Sequence, residues 1–543
     1  MVTRLDSLRA IEGADSTVIH NYSVPRRGIN LYGNVITMSP EEALQTQNCF
    51  VRAGLKGRMG QTKFEETEVV ADKKIIGLHR FYYGADNKQL IVVSDTKIRY
   101  HTGSAWADID TGQTAGKNSL ITTWGALDKV FICNGTDPGV TWDGSSAADM
   151  SGTNAPAKPI QVLPYRDRLL AIDATNHGDV QWSASFSDTG TWETISACGV
   201  RPDSKLYGMI LHTDNNSNQG VEAKVLLAGA NGMHLFSGKD LRTPSTTGDY
   251  RVESLATSVG CNAPWTMCWT PAGSMYLGRD RQVYLLPFKT NTPLPLGHKI
   301  TSRHPFYTGI EKIPTTQIEN ACAIYHDGFY KLSFAGDGQT TNTIQFWLDI
   351  NHIKQDESGL YGPWYGPMVG QTVSVFANQN GPGDLGELMA GESDPTIGSF
   401  IYQLDKEGEF SDDGTSIPIY WQSFYNPLGD ANLKDAIHML ELELLDTSGT
   451  LDVEFHDIDG AVNTGNTITL GGGGLYYGDT YWGEADWGVS GSIARKKLNI
   501  GKGGGGTSLL RRCSLKISYG STTETMELYN ASLKTIPQNI GFD

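Results

Sequence analysis

The chain has 543 residues, with 43 Lys and Arg against 60 Asp and Glu, a net charge of −17. At about 100–200 residues per domain this is too long for one fold unit, and the charge has the wrong sign for gripping phosphate backbones by counterion release, which excludes a generic DNA-binding role. With 63 glycines, 19% charged and 10% aromatic residues, the composition favours short strands and many turns.

Apolar runs such as residues 130–133 and 225–228 fall far short of the ~18 residues a spanning helix needs. Residues 1–6 lack the basic-then-apolar run of a secretory signal, so folding in a cytoplasm without membrane insertion is expected. The seven cysteines (Cys49, Cys133, Cys198, Cys261, Cys268, Cys322 and Cys513) are scattered without a Cys-x-x-Cys pair, which argues against zinc and disulfide frameworks.

Along the chain, Ser39-Pro40-Glu41-Glu42 has the elements of a capping box with Pro at the first helical position, and predicts a short helix to about Asn48. From about residue 75, four- to eight-residue apolar runs bounded by Gly, Asn and Asp recur. Tyr100, Trp142 and Trp182 occupy matching places in successive units, 42 and 40 residues apart. A pitch of ~40–45 residues with about four strands per unit is that of a propeller blade, which has two apolar faces and must stack on neighbours. Looser units follow at 206–236, 259–286, 318–350 and 372–404, giving about six or seven blades.

After a polar linker at 406–416, alternation in 439–444, 451–455, 513–517 and 525–528 predicts half-buried antiparallel strands, most simply a β-sandwich. The expected organisation is all-β: an N-terminal adaptor segment at 1–70, a propeller at 71–405, and a sandwich at 406–543. Glycine runs bracket an excursion at 471–506 that carries Tyr476, Tyr477, Tyr481, Trp482 and Trp487, then Arg495, Lys496 and Lys497. It reads as a projecting arm. Its aromatics either fold back on the sandwich or anchor a partner.

Signs of chemistry are weak. Ser187-Asp188-Thr189-Gly190-Thr191-Trp192 resembles the Asp-box turn of sialidase propellers, but is one residue short, occurs once, and reads as a hairpin in which Asp188 caps backbone donors. Residues 214–218 imitate a calcium loop, yet Gln219 replaces the turn glycine and Val225 the bidentate Glu, leaving a polar loop. Asp457-Ile458-Asp459-Gly460 reads as a hairpin turn. Among twelve dispersed histidines, His79, His101, His234 and His326 lie in or beside strand-like runs and read as packed or surface residues. Gly488-Val489-Ser490-Gly491 reads as a flexible turn. No catalytic residue, metal ligand or cofactor is expected.

Several segments resemble the tail nozzle proteins of short-tailed bacteriophages, also called tail tubular protein B, and the packaged-DNA-stabilising tail hub proteins. The carriers are Gly28-Ile29-Asn30-Leu31-Tyr32, Ser39-Pro40-Glu41-Glu42-Ala43-Leu44, Asn48-Cys49-Phe50, Leu55-Lys56-Gly57-Arg58-Met59-Gly60, Tyr165-Arg166-Asp167-Arg168-Leu169-Leu170, Trp182-Ser183, Ser187-Asp188, Thr191-Trp192, Val259-Gly260-Cys261 and Ala263-Pro264.

The resemblance implies a virion tail protein, assembled in the host cytoplasm and closed into a ring, sixfold by the family's habit, beneath the head-to-tail adaptor or portal complex. Such a ring would hold and release the genome and dock tail fibres, a spike or a needle. Double-stranded DNA would pass through transiently, and an acidic wall would leave it mobile. Arg52, Lys56, Arg58 and Lys63 form a basic cluster that could meet DNA, dock the adaptor, or lie on a solvated face. The competing readings are a carbohydrate-binding or glycosidase-type propeller, with paired carboxylates at its mouth, and a cellular scaffold propeller.

Overall fold

The structure is a computed structural model. It describes residues 18–538 except 36, 177, 194–204, 214–222, 239–240, 242–249, 303–308, 357–358, 380–385, 429–433, 446–448, 459–461, 471–492, 500–508, 511 and 522. The chain divides into two compact units, residues 59–413 and a second assembled from residues 1–58 and 414–543. Among the described residues helix is confined to short 3-10 turns, and no helix is long and apolar enough to cross a membrane.

The first unit is a seven-bladed β-propeller. Blade 1 comprises Ile75–Tyr83, Asn87–Ser94, Lys97–His101 and Trp106–Asp110. Blade 2 comprises Leu120–Trp124, Lys129–Cys133, Val140–Trp142 and Ala147–Asp149. Blade 3 shows Pro159–Tyr165, Arg168–Asp173 and Val180–Trp182 among the described residues. Blade 4 starts with Leu206–His212, blade 5 with Cys268–Thr270, blade 6 with Cys322–His326 and blade 7 with Val373–Gln379.

Each blade's first strand neighbours the first strand of the next, and the seventh returns to the first, so these seven strands form the inner ring. Apolar side chains fill the spaces between blades. Ile91, Val93, Val130 and Trp142 join blades 1 and 2, Leu170, Trp182, Met209 and Val225 join blades 3 and 4, and Ile75, Leu90, Val375 and Met389 join blades 1 and 7. Each fully buried aliphatic of this kind contributes about 1.5–3 kcal/mol, which is why a blade is stable only between two others.

Blade 7 takes its outermost strand from the other end of the unit. Glu387–Glu392 and Ile401–Leu404 continue from Val373–Gln379, and Gln61–Lys63 completes the sheet with Thr62 opposite Gln403. This clasp is held by Lys63, whose ammonium lies 3.1 Å from Asp413 and 4.5 Å from the centre of the Phe400 ring. Gly60 is required beside it, since a Cβ there would stand 1.9 Å from the Ser411 carbonyl oxygen.

The second unit is a β-sandwich of two antiparallel sheets. In one, Glu527–Gln538 lies between Lys434–Leu445 and the pair Val18–Tyr22 and Leu55–Gly57. In the other, Ala43–Gln47, Thr415–Ser423, Arg512–Ser521, Gly449–Asp457 and Val462–Leu470 follow in order. The alternation read in sequence is the burial pattern: Leu440, Leu442, Leu444, Leu451, Val453 and Phe455 face inward.

Two expectations are corrected. The N-terminal stretch is not a separate segment of 70 residues, because Val18–Tyr22 and Leu55–Gly57 hydrogen-bond to the C-terminal strand and residues 59–70 belong to the propeller. The helix after Ser39 does not form. The Ser39 amide reaches the Glu42 carboxylate at 3.4 Å and the Ser39 hydroxyl accepts from the Glu41 amide at 3.4 Å, but one turn later the chain enters the strand Ala43–Gln47. Pairing of Thr46 with Trp421 and of Gln47 with Tyr420 outweighs the local capping signal, a case of tertiary structure overriding propensity.

Candidate functional site

A propeller's natural site is its axis, so the inner ring is the first place to look for chemistry. The seven first strands contain no Asp, Glu or Lys and a single arginine, Arg80. The paired carboxylates that a glycosidase needs are therefore not supplied by these strands. Polar side chains of the ring are spent on joining blades. A His79 ring nitrogen is 2.7 Å from Thr123 Oγ1, Gln161 exchanges two hydrogen bonds with the Met209 backbone at 2.9 and 2.7 Å, and Asn378 donates to the Tyr325 carbonyl at 3.1 Å. Burial holds His79 and His212 down at about 4, so both are neutral packing groups at physiological pH.

One mouth of the axis is crossed by side chains. Asn118, just before blade 2, donates to Asn320, just before blade 6, at 3.1 Å. Blades 1 and 7 stand between those two, so the bond is a chord over the opening. Trp265 precedes blade 5, yet it packs against the clusters joining blades 1 and 7 and blades 6 and 7. Tyr330 adds a hydrogen bond of 3.0 Å to the Thr266 carbonyl, fixing the turn that carries the indole. Side chains from blades 2, 5 and 6 thus meet at this mouth.

The basic cluster does not act as a unit. Arg52 is exposed and Lys56 half-buried, whereas Arg58 is 1% exposed and donates to Asn48 Oδ1 at 3.1 Å. Lys63 is engaged in the clasp, with Glu66 also 3.7 Å away. Arg495, Lys496 and Lys497 are not on a projecting arm: they lie in the strand Ile493–Asn499, in register with Lys434–Leu445 so that Arg495 stands opposite Glu443 and Lys497 opposite Glu441. Tyr476, Tyr477, Tyr481, Trp482 and Trp487, like residues 214–218 and 488–491, lie outside the described residues.

The Asp-box-like segment is a turn, with its roles exchanged. Ser187 Oγ, not Asp188, accepts the backbone donor, from Gly190 at 2.9 Å. Asp188 is buried and takes the Lys129 ammonium at 2.7 Å. Trp192 is fully buried, its amide 2.8 Å from the Thr153 carbonyl and its indole nitrogen 3.4 Å from that of Asp188. The strands Gly449–Asp457 and Val462–Leu470 pair antiparallel, while Asp459 and Gly460 between them lie outside the described residues. No group of three His, Cys, Asp or Glu among the described residues could hold a metal ion.

Two features escaped the sequence reading. Trp265 sits beside the quoted Ala263-Pro264, but nothing in its neighbours tells that it reaches over the axis. Phe186, within the same turn as Asp188, is 62% exposed at φ 48°.

No protein family matches the chain by sequence, and no curated protein does. Solved structures similar to it include YCF48 bound to D1 peptide, at 10% identity over 59% of this chain and 93% of that one with a TM-score of 0.30. Sqt1 of Saccharomyces cerevisiae is 8% identical over 64% and 99%, TM-score 0.33, and an exo-beta-1,3-galactanase of Phanerochaete chrysosporium is 8% identical over 71% and 96%, TM-score 0.21. The propeller assignment rests on the sheet order above.

Proposed function

We propose that this chain is a structural protein of a short-tailed phage virion, without enzymatic activity, whose copies close into a ring around the path of the genome. The observation that carries the reading is an inner ring without carboxylates. A propeller whose inner strands hold no carboxylate and whose mouth is crossed by Trp265 and by the Asn118–Asn320 bond is a building block. The path for DNA is then the space encircled by several copies. The resemblance of the quoted segments to tail nozzle and hub proteins supports this, as does a net charge of −17, which leaves a passing phosphate backbone unbound. A repeated head-to-tail contact that closes gives a ring, six copies in the family resembled. The adaptor or portal above, and fibres, spike or needle below, are its proposed neighbours.

The test is electron microscopy of virions and of the purified chain. A ring with an axial opening wide enough for duplex DNA, located in the tail, is the expected outcome. A monomer absent from virions, or one that hydrolyses a glycan, overturns the proposal.

A further inference from the structure

Among the described residues twelve non-glycine positions have positive φ, and Phe186 is the sole apolar one, the others being Asn, Asp, Arg or Lys. Asparagine and aspartate accept this conformation through local hydrogen bonds, whereas a bulky side chain is strained in it. Phe186 is also the most exposed large hydrophobic residue described, at 62%. A strained backbone that presents an aromatic ring to water gains nothing for the isolated chain, so the gain belongs to a contact.

The surroundings fix the backbone that carries the ring. The Phe186 amide donates to the Asp167 carbonyl at 2.7 Å, and Ser185 Oγ donates to the Asp167 carboxylate. On the far side the turn is staked by the buried Trp192 and by the ion pair of Asp188 with Lys129. Beside it, Arg166 is exposed at φ 56° with its guanidinium 5.5 Å from the centre of the Tyr165 ring, and Arg168 donates to the Ser183 carbonyl at 2.7 Å. Arg166, Arg168 and Lys129 stand against the carboxylates of Asp167 and Asp188, so the projecting corner is aromatic with a small excess of positive charge.

We propose that this corner, centred on Phe186 and Arg166, is the anchor by which one copy of the chain docks on an acidic surface of the next. The occupant follows from charge: a cationic corner on a chain of net charge −17 is complementary to the remainder of another copy. A projecting knob is not complementary to itself, since two would bring Arg166 against Arg166. It must enter a different surface of its neighbour, which is the condition for a head-to-tail contact and hence for ring closure. A preorganised aromatic with an adjacent arginine is also the residue pair that dominates binding at interfaces. The inference rests on the ring reading and names the contact it requires.

The experiment is sedimentation velocity of the full chain over a concentration series, for the natural sequence, Phe186→Gly and Arg166→Glu. Glycine adopts φ 48° freely, so Phe186→Gly should unfold at the same temperature as the natural chain or higher, while its association midpoint moves to at least tenfold higher concentration. Arg166→Glu should shift it in the same direction. Association of Phe186→Gly at the natural concentration overturns the docking inference and leaves the ring reading standing. A natural chain that stays monomeric throughout overturns the inference too, and virions without a ring of this chain overturn the reading beneath it.

Discussion

Asn118 Nδ2 donates to Asn320 Oδ1 across 3.1 Å, joining two residues 202 apart in sequence that lie before blades not adjacent in the ring. Trp265, which packs against the clusters joining blades 1 and 7 and blades 6 and 7, adds a second link between blades that are distant in sequence. That arrangement separates stability from function in ways that can be measured.

Trp265→Ala removes an indole that packs against two inter-blade clusters. A loss of about 2–4 kcal/mol is expected, the lower part of the range for large-to-small changes because the ring is only partly buried. Asn118→Ala removes one hydrogen bond and should cost about 1 kcal/mol or less. Denaturant unfolding of both variants checks the order, which reverses if the indole is idle.

Arg52 and Arg58 look alike in sequence and should behave differently. Arg58→Ala deletes a buried, hydrogen-bonded cation and should destabilise by about 3 kcal/mol or more. Arg52→Ala, at an exposed site, should stay within about 0.5 kcal/mol. Equal midpoints in urea would return Arg58 to the surface.

Glu392 gives the propeller a pH dependence. Its carboxyl is 2% exposed and burial pushes it up to about 7, although Thr372 Oγ1 and the Asp394 amide donate to it. The folded state then binds a proton that the unfolded chain has lost, so stability falls as pH rises from about 4.5 to about 7 and the full penalty persists above. Glu392→Gln, which keeps the acceptor and removes the charge, should match the natural chain near pH 4.5 and exceed it by up to about 3 kcal/mol at pH 8. Parallel stability curves for the two proteins would refute the assignment.

The thiols should be inert in the folded chain. Burial pushes Cys49, Cys133, Cys261 and Cys513 up to about 12, and Cys268 and Cys322 higher still; all six are free. Alkylation at pH 8, followed residue by residue by mass spectrometry, should be on the order of a thousandfold slower than in urea. Rapid labelling of any one would mark a local opening.

Much of the architecture was legible because burial repeats. Tyr100, Trp142 and Trp182, the markers of the repeat, all fall on third strands of their blades, and Tyr100 packs on Trp142 with ring centres 5.2 Å apart. The clasp was not legible: Gln61-Thr62-Lys63 is polar, three residues long and too short for any period. Ser39 misled for the opposite reason, since its capping bonds form but the pairing of Ala43–Gln47 with the distant strand Thr415–Ser423 decides the outcome. Side-chain reach over the axis, as at Trp265, and a strained exposed ring, as at Phe186, leave no trace in composition or spacing.

The strand Gln61–Lys63 leaves the ribosome before Ile401–Leu404, which it must meet, with all the other blades made in between. Val18–Tyr22 likewise waits for Glu527–Gln538. Neither unit can close before both of its distant strands have been made, so a product terminated ahead of them would expose apolar edges.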